Sequence, residues 1–538
     1  MNRAVLLLLS VGLGVPGLLS AGVDTTWVRR YDGPAHLDDE GTCVAVDSQD
    51  NVIVAGRSEG ADSVYDWVTI KYSSAGDSLW ADRRRYGGSE PVGMQVDAAG
   101  SIYVVGNGTT VKYSPTGQVL WALNYGPQGS SVSLGGLVLD PMGNILICGG
   151  QKDSASTWDA LLMKYRPSGE LAWAKTYDTS ERDNSSAGID CGAAGETYSV
   201  GSYLDTVPRE RCVTVKCDSL GGKLWMAVFA DTALEEWLDH VSIDEDGNAV
   251  AIGKYIGSST DYDYLTIKYD SAGETLWTRR YDGPVHADDE ASAVVVDSTG
   301  NVYVTGYAYV ASGVHPNVAT VKYAPDGEQL WVALFGGPIA NYGKGTAIAL
   351  DGASGVYVGG GSAFSPGAYE DYVTIKYNAA TGDTEWVRSY NGPGSDVDEV
   401  GAIGVDRSGD VYVTGSSYGG ASTGSDIATI KYVQNGGVED DRAMPVASRL
   451  SLVAEPSVFN SRTRLHYLVG DSTTTRLLVF DAEGRRVRTL AGSSACAGPN
   501  TAVWDGRDNR GRRLPLGVYV VVLDAGEKRI RVKVVLSE

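Results

Sequence analysis

Three short acidic runs are the groups in this chain best suited to hold a cation: Asp38-Asp39-Glu40, Asp288-Asp289-Glu290, and Asp398-Glu399 with Asp396 just ahead of it. Ca²⁺ takes six to eight oxygen ligands, and clustered carboxylates supply them. None of the runs has EF-hand spacing, and solvated acid or salt bridging to nearby lysines is the competing reading. His36 and His286 precede two of the runs and are further candidate ligands. Gly415-Ser416-Ser417-Tyr418-Gly419 matches G-x-S-x-G, but a nucleophile elbow needs a strand-to-helix turn, and here a strand runs into a loop. The sequence has no C-x-x-C pair, H-E-x-x-H or phosphate loop. No catalytic residue and no organic cofactor is assigned; Ca²⁺ is the one cofactor these residue types suggest.

The elements that must position these acids repeat along the chain. An apolar strand ending in Asp is followed by a tight turn, a second strand, a variable loop, and a strand of T-[IV]-K-Y type. The repeated lysines are Lys71, Lys112, Lys164, Lys216, Lys268, Lys322, Lys376 and Lys431, which makes eight copies. After each of the first seven comes a Gly turn and a tryptophan (Trp80, Trp121, Trp173, Trp225, Trp277, Trp331, Trp386), spaced 41, 52, 52, 52, 54 and 55 residues apart. Four short strands in about fifty residues, repeated, is the pattern of propeller blades.

The eighth copy stops at Tyr432 without its tryptophan strand, and a spare one stands at the other end as Trp27-Val28-Arg29-Arg30-Tyr31. Pairing the two closes a ring without an open edge. The expected fold is therefore all-β: an eight-bladed β-propeller closed by an N-terminal strand, or seven-bladed if one copy packs irregularly. The second copy is the irregular one, its loop shortened to Asn107-Gly108. Repeated Trp reads as interblade core. The acids five residues before the lysines (Asp66, Asp159, Asp263, Asp371, Asp426) read as structural turn or interblade hydrogen-bonding groups. The two longer connections per blade emerge on one face, rich in Tyr, Ser, Gly and acid, and that face is the expected binding surface.

On these phrases the region 27–432 resembles the bacterial SBBP β-propeller repeat family, which implies a propeller fold and an extracytoplasmic location. Asn378 to Trp386 looks like the tryptophan-docking phrase of quinoprotein propellers, but the vicinal cysteine pair of those enzymes is missing. Residues 433–447 read as a polar linker. Beyond them, 448–538 holds about seven short strands, with the phrases Val479-Phe480-Asp481-Ala482-Glu483-Gly484-Arg485, Trp504-Asp505-Gly506-Arg507-Asp508 and Pro515-Leu516-Gly517-Val518-Tyr519. This resembles the C-terminal domain of type IX secretion cargo and the immunoglobulin-like β-sandwich of flagellar-hook-capping proteins. The resemblance implies export and secretion machinery as a partner. Where that family has Asn-Pro-Phe, this chain has Glu455-Pro456-Ser457-Val458-Phe459.

Residues 1–22 read as a signal peptide: a basic start, an apolar run, and small residues at Ser20-Ala21-Gly22. No second apolar stretch is long enough to span a membrane. Residues 448–538 carry 15 Lys and Arg against 9 Asp and Glu, a net +6; the rest carries 29 against 58, a net −29. An acidic body of that size argues against nucleic-acid partners. Of the cysteines, Cys212 and Cys217 lie too far apart along one strand to pair, whereas Cys191 and Cys217 share a repeat and remain a candidate disulfide. The expectation is an extracellular or surface-attached propeller that binds a protein or glycan without catalysis. A secreted propeller enzyme (hydrolytic or quinoprotein-like) and a purely structural surface component are the alternatives.

Overall fold

The computed structural model of the chain describes residues 23–434 and 450–537, except 87–89, 127–130, 153–156, 178–183, 205–208, 230–234, 257–260, 311–314, 337–341, 365–368, 456–457, 460–461, 470–472, 482–484, 492–493, 496–497 and 526–527. The expected signal peptide and nearly all of the expected linker lie outside the described residues. The chain divides into two compact units, 1–436 and 437–538.

The first unit is built from eight four-stranded antiparallel sheets. Each is a blade with strands a to d, as in blade 1: Asp39–Val46, Val52–Glu59, Tyr65–Tyr72 and Ser78–Arg84. The a strands of successive blades touch all the way round, blade 8 meeting blade 1, so the ring is closed. Blade 8 takes its a, b and c strands from Asp398–Val405, Val411–Gly420 and Gly424–Gln434, and its d strand from Val23–Tyr31. That pairing runs from Val23 opposite Gln434 to Tyr31 opposite Ile427. The propeller thus extends to Gln434, two residues into the segment read as linker, because Val433 and Gln434 are paired by Asp24 and Val23.

Blade 2 is regular. Asn107 (φ 40°) and Gly108 (φ 73°) form a two-residue turn between strands Ile102–Gly106 and Thr109–Tyr113. Positive φ at both positions is the type I′ geometry that suits the twist of a hairpin, and Asn-Gly is its preferred pair. The shortened loop therefore tightens the blade without removing it.

Trp and Lys lock adjacent blades through one shared acceptor. Lys71 Nζ and Trp80 Nε1 both donate to the Pro115 carbonyl of blade 2, at 3.2 and 3.1 Å. Lys164 and Trp173 do the same to Ser219 O at 3.2 Å each, and Lys431 and Trp27 to Ser74 O at 3.3 and 3.1 Å across the closure. The indole rests on the positive-φ glycine of the next blade's c–d turn: a Cβ on Gly273 (φ 92°) would lie 2.7 Å from the Trp225 ring. Glycine is required there on both counts. Blade 8 has no c–d turn, its d strand coming from the far end of the chain. Trp386 accordingly finds no such carbonyl among the described residues, and its buried Nε1 has no hydrogen-bond partner. Lys376 turns instead to Gln434 Oε1 at 2.7 Å and Glu385 at 3.1 Å.

Cys191 and Cys217 are free thiols. Both register with Thr197 of the strand between them, Cys191 on one side and Cys217 on the other. Two interstrand spacings of about 4.8 Å separate them, beyond disulfide reach.

The second unit is a two-sheet sandwich. Leu450–Glu455, Thr463–Val469 and Gly498–Trp504 form one sheet, and Lys528–Leu536, Gly517–Ala525, Thr473–Phe480 and Arg486–Ala491 form the body of the other. Alternating inward residues build its core, among them Leu465, Leu477, Val479, Trp504, Tyr519 and Val521. Trp504 Nε1 donates to Arg507 O at 3.0 Å and the Tyr519 hydroxyl to Pro515 O at 2.6 Å, so both buried aromatics have their polar atoms satisfied.

Candidate functional site

The a–b turn of every blade and the c–d turns of blades 1 to 7 are tight and lie at one end of the strands. The b–c and d–a connections lie at the other end, and the acidic runs are there. Alternation along a strand sends neighbouring side chains to opposite faces, and this separates each run. Asp38 Oδ1 accepts the Ser425 amide at 3.0 Å, and Asp288 Oδ1 accepts the Tyr262 amide at 3.0 Å. Glu40 pairs with Arg57 at 2.6 Å, and Arg57 reaches on to Glu90 at 2.7 Å. Glu290 faces Lys254 at 3.4 Å and accepts the Tyr307 hydroxyl at 3.2 Å. Glu399 is exposed.

Asp39, Asp289 and Asp398 point the other way and are fully buried at the joints between blades 8 and 1, 5 and 6, and 7 and 8. Each organises the d–a connection before it. The amides of Gly33, Gly283 and Gly392 donate to these carboxylates, at 2.5 Å for Asp39 and 2.7 Å for Asp398. Three residues before each of these aspartates, His36, His286 and Ser395 take left-handed φ of 53°, 54° and 51°. His36 and His286 Nδ1 contact Asp32 and Asp282 at 2.6 Å, so they brace their own loops and do not face the buried acids.

The structure groups acids that are distant in sequence. Asp32, Asp39 and Asp426 present carboxylate oxygens within 4.8 Å of one another, as do Asp263, Asp282 and Asp289. Asp32 and Asp282 come from the Y-D-G-P phrase shared by two d–a connections, and Asp263 and Asp426 from the c strands five residues before their lysines. That shared phrase was the available signal, legible only once the blades are seated side by side.

Burial pushes Asp39, Asp263, Asp289 and Asp371 up to about 6. Each then holds its proton more tightly folded than unfolded. Between about pH 4 and 6 the folded state carries more protons, and stability falls as pH rises through that window. Asp47, Asp140 and Asp244 behave oppositely: burial opposes their charge, but the lysine partner and the turn donors outweigh it and hold them below the usual range. Their contribution is present above the unfolded carboxylate value near 3.9 and is lost below it. Calorimetry in a chelating buffer is therefore expected to show a melting midpoint about 2–5 °C higher at pH 5 than at pH 7.5, with a fall below about pH 3.5. A midpoint that rises steadily from pH 5 to 7.5 would contradict these environments.

Ser417, the central residue of G-x-S-x-G, lies inside strand Val411–Gly420, is fully buried, and accepts Arg30 Nη1 at 2.6 Å. A strand interior filled by an arginine contact is not a nucleophile elbow.

A cleft of about 320 Å³ opens between blades 3 and 4. Ser133, Ser185, Ser202, Asn184 and Glu210 line it, and the half-buried indole of Trp158 forms one wall. Gly150 permits this: a Cβ there would lie 3.0 Å from the Trp158 ring, so the indole lies against bare backbone. At the position filled by Glu40 in blade 1 and Glu290 in blade 6, blades 3 and 4 carry Ser133 and Ser185, opposite Gly150 and Ser202 in register. The rim changes here from charged to hydroxyl-bearing.

No curated protein matches the chain. Among solved structures it is similar to a protein of unknown function from Bacteroides caccae (12% identity, 55% of this chain and 94% of that one, TM-score 0.33). It is also similar to the Pan2 WD40 domain of Neurospora crassa (10%, 78% and 99%, 0.43) and to PorZ, a surface component of the type-IX secretion system of Porphyromonas gingivalis (10%, 93% and 93%, 0.26). Residues 385–420 match the SBBP family, described as a beta-propeller repeat, and 460–528 match the FlgD Ig-like domain. The chain therefore carries an SBBP-type β-propeller repeat followed by a C-terminal FlgD-like immunoglobulin domain.

Proposed function

We propose that this protein is an exported, non-catalytic binding protein whose propeller holds an extracellular glycan in the cleft between blades 3 and 4. The C-terminal domain in this reading is the part read by the secretion machinery, and the mature chain is extracellular or attached to the cell surface.

The observation that supports binding is the contrast between the repeat and the cleft. The buried lysines and tryptophans of the repeat are consumed in joining blades, with one indole proton, on Trp386, left over. The cleft instead collects residues that depart from the repeat: an indole wall, four serines, an amide and one carboxylate. An aromatic surface with a few placed polar groups is the usual make-up of a small-ligand site, and sugar rings, with an apolar face and a hydroxyl edge, match it. The test is a glycan array probed with the full-length mature chain, followed by calorimetric titration of any hit. Trp158→Ala is expected to weaken binding at least about tenfold, the cost of losing a central aromatic contact, with the melting midpoint unchanged. Turnover of a hit would make the protein an enzyme, and an array without hits would remove the glycan reading.

A further inference from the structure

At the joint where the ring closes, three carboxylates gather. Asp32 ends the N-terminal d strand, Asp39 opens blade 1, and Asp426 sits in the last strand of blade 8, so three separate parts of the propeller meet there. Each carboxylate has one oxygen engaged. Asp32 Oδ2 contacts His36 at 2.6 Å, Asp39 Oδ2 accepts the Gly33 amide at 2.5 Å, and Asp426 Oδ2 takes Arg30 Nη2 at 2.7 Å. The second oxygen of each, Oδ1, is buried without a hydrogen-bond partner. Asp39 and Asp426 are 1% and 4% exposed, so bulk solvent does not reach them.

A fourth oxygen, from a neutral residue, points to the same place. Ser58 is directly opposite Asp39 in the a–b register, on the same face of the sheet. It is 0% exposed, and its hydroxyl neighbours the Asp39 carboxylate and the Tyr31 hydroxyl, with no N–H donor reaching its Oγ. The missing side chain of Gly33 leaves the space: a Cβ there would lie 2.8 Å from Asp39 Oδ1 and would collide with Ser58 Oγ. Buried carboxylate oxygens left without a donor cost free energy unless something takes them up.

The equivalent joint between blades 5 and 6 provides the internal comparison. There Asp289 has both oxygens occupied, by the Gly283 and Tyr309 amides, and the residue matching Ser58 is Ala308. At the closure the amide matching Tyr309, that of Glu59, is bound to the Asp38 carbonyl instead, at 2.9 Å. The closure alone of these two joints keeps oxygens to spare.

We infer that the closure joint binds one hard divalent cation, of the Ca²⁺ class, through Asp32, Asp39 and Asp426 with the Ser58 hydroxyl. Three carboxylates against the Arg30 guanidinium leave two negative charges, which one divalent ion balances. Four protein oxygens plus water reach the six to eight that Ca²⁺ takes; Mg²⁺ demands a stricter octahedron. Because its ligands come from the first and last strands, the ion ties the two ends of the ring, and binding only the closed form stabilises that form. The inference does not depend on the glycan cleft, which lies at a different joint.

The test is terbium luminescence on the full-length mature chain, excited through its tyrosines and tryptophans, with competition by Ca²⁺ and melting in Ca²⁺ against EDTA. One bound ion, displaced by Ca²⁺, and a midpoint about 2–5 °C lower in EDTA are expected. Asp32→Asn, on the partly exposed member, should weaken binding at least about tenfold without unfolding the chain. Ser58→Ala should weaken it by about threefold to tenfold, and Asp282→Asn should leave it unchanged. Absence of Tb³⁺ and Ca²⁺ binding at millimolar concentration in the wild type would overturn the inference. So would binding that Asp32→Asn and Ser58→Ala leave at full strength. Glycan titrations repeated in EDTA keep the outcome separate from that of the cleft.

Discussion

Lys268→Met is expected to destabilise the propeller by about 3–5 kcal/mol, the cost of leaving one partner of a buried ion pair uncompensated. Lys268 Nζ lies 2.8 Å from Asp244 Oδ2, and both side chains are almost fully buried, at 2% and 3% exposure. Asp244 cannot escape by turning to water, because its oxygens also accept the Asp246 and Asn248 amides and the Asn248 side chain, which set the a–b turn of blade 5. Removing the ammonium therefore forces either a bare buried carboxylate or a protonated one that holds the turn less well. The companion Asp244→Asn keeps an acceptor for the turn and removes the charge. The double variant Lys268→Met/Asp244→Asn is expected to recover about half or more of the loss, since the uncompensated charge is the main cost. Urea denaturation of the four proteins reads this out. A double variant no better than Lys268→Met would show that the lysine acts by packing alone. Arg85→Ala, which removes a half-exposed partner of Asp62 and Asp66, should leave the urea midpoint where it was.

Trp27→Ala is the second change with a large expected effect, again about 3–5 kcal/mol. Its indole is 5% exposed and packs between Tyr72 of blade 1 and Tyr412 of blade 8, with ring centroids 6.0 and 6.1 Å away, while Nε1 reaches Ser74 O. It belongs to the strand that closes the ring, so its loss does more than open a cavity. It loosens the d strand of blade 8 and exposes the edge of Gly424–Gln434. Trp80→Ala removes the same contacts between blades 1 and 2, but that indole is only half-buried and both of its blades are continuous chain. The expected order is that Trp27→Ala melts lower and is nicked by protease near both ends of the propeller, whereas Trp80→Ala is not. Equal midpoints with identical digestion patterns would mean that the closure is no weaker than any other joint.

Much of this architecture was legible along the chain because its determinants are local. The Asp-x-x-Gly turns, the glycines before each tryptophan and the T-I-K-Y strands recur at spacings that only stacked four-stranded units explain, and the spare strand at Trp27 announced how the ring would close. Loop length alone makes the second copy read as irregular, whereas Asn107-Gly108 is the preferred chemistry for a two-residue hairpin. Cys191 and Cys217 are a candidate pair in the sequence because sharing a repeat places two residues in one sheet, but the strand between them keeps the sulfurs apart.

Ionisable groups divide along the same line. Their types and repetition establish that the lysines and tryptophans are structural and that acid gathers on the loop end of the blades. Which acids meet is a different matter. Asp38, Asp39 and Glu40 are consecutive, yet strand alternation sends the middle one into the joint and the outer two to the surface, while Asp426 arrives from the other end of the propeller. Whether an oxygen is then spoken for depends on a single amide, Glu59 in one joint and Tyr309 in another, and on Ser58 standing where another blade has Ala308. Periodicity along a chain specifies secondary structure and blade number, because those follow from short-range geometry. The chemistry of a joint comes from residues that only the closed ring brings within a few ångströms of each other.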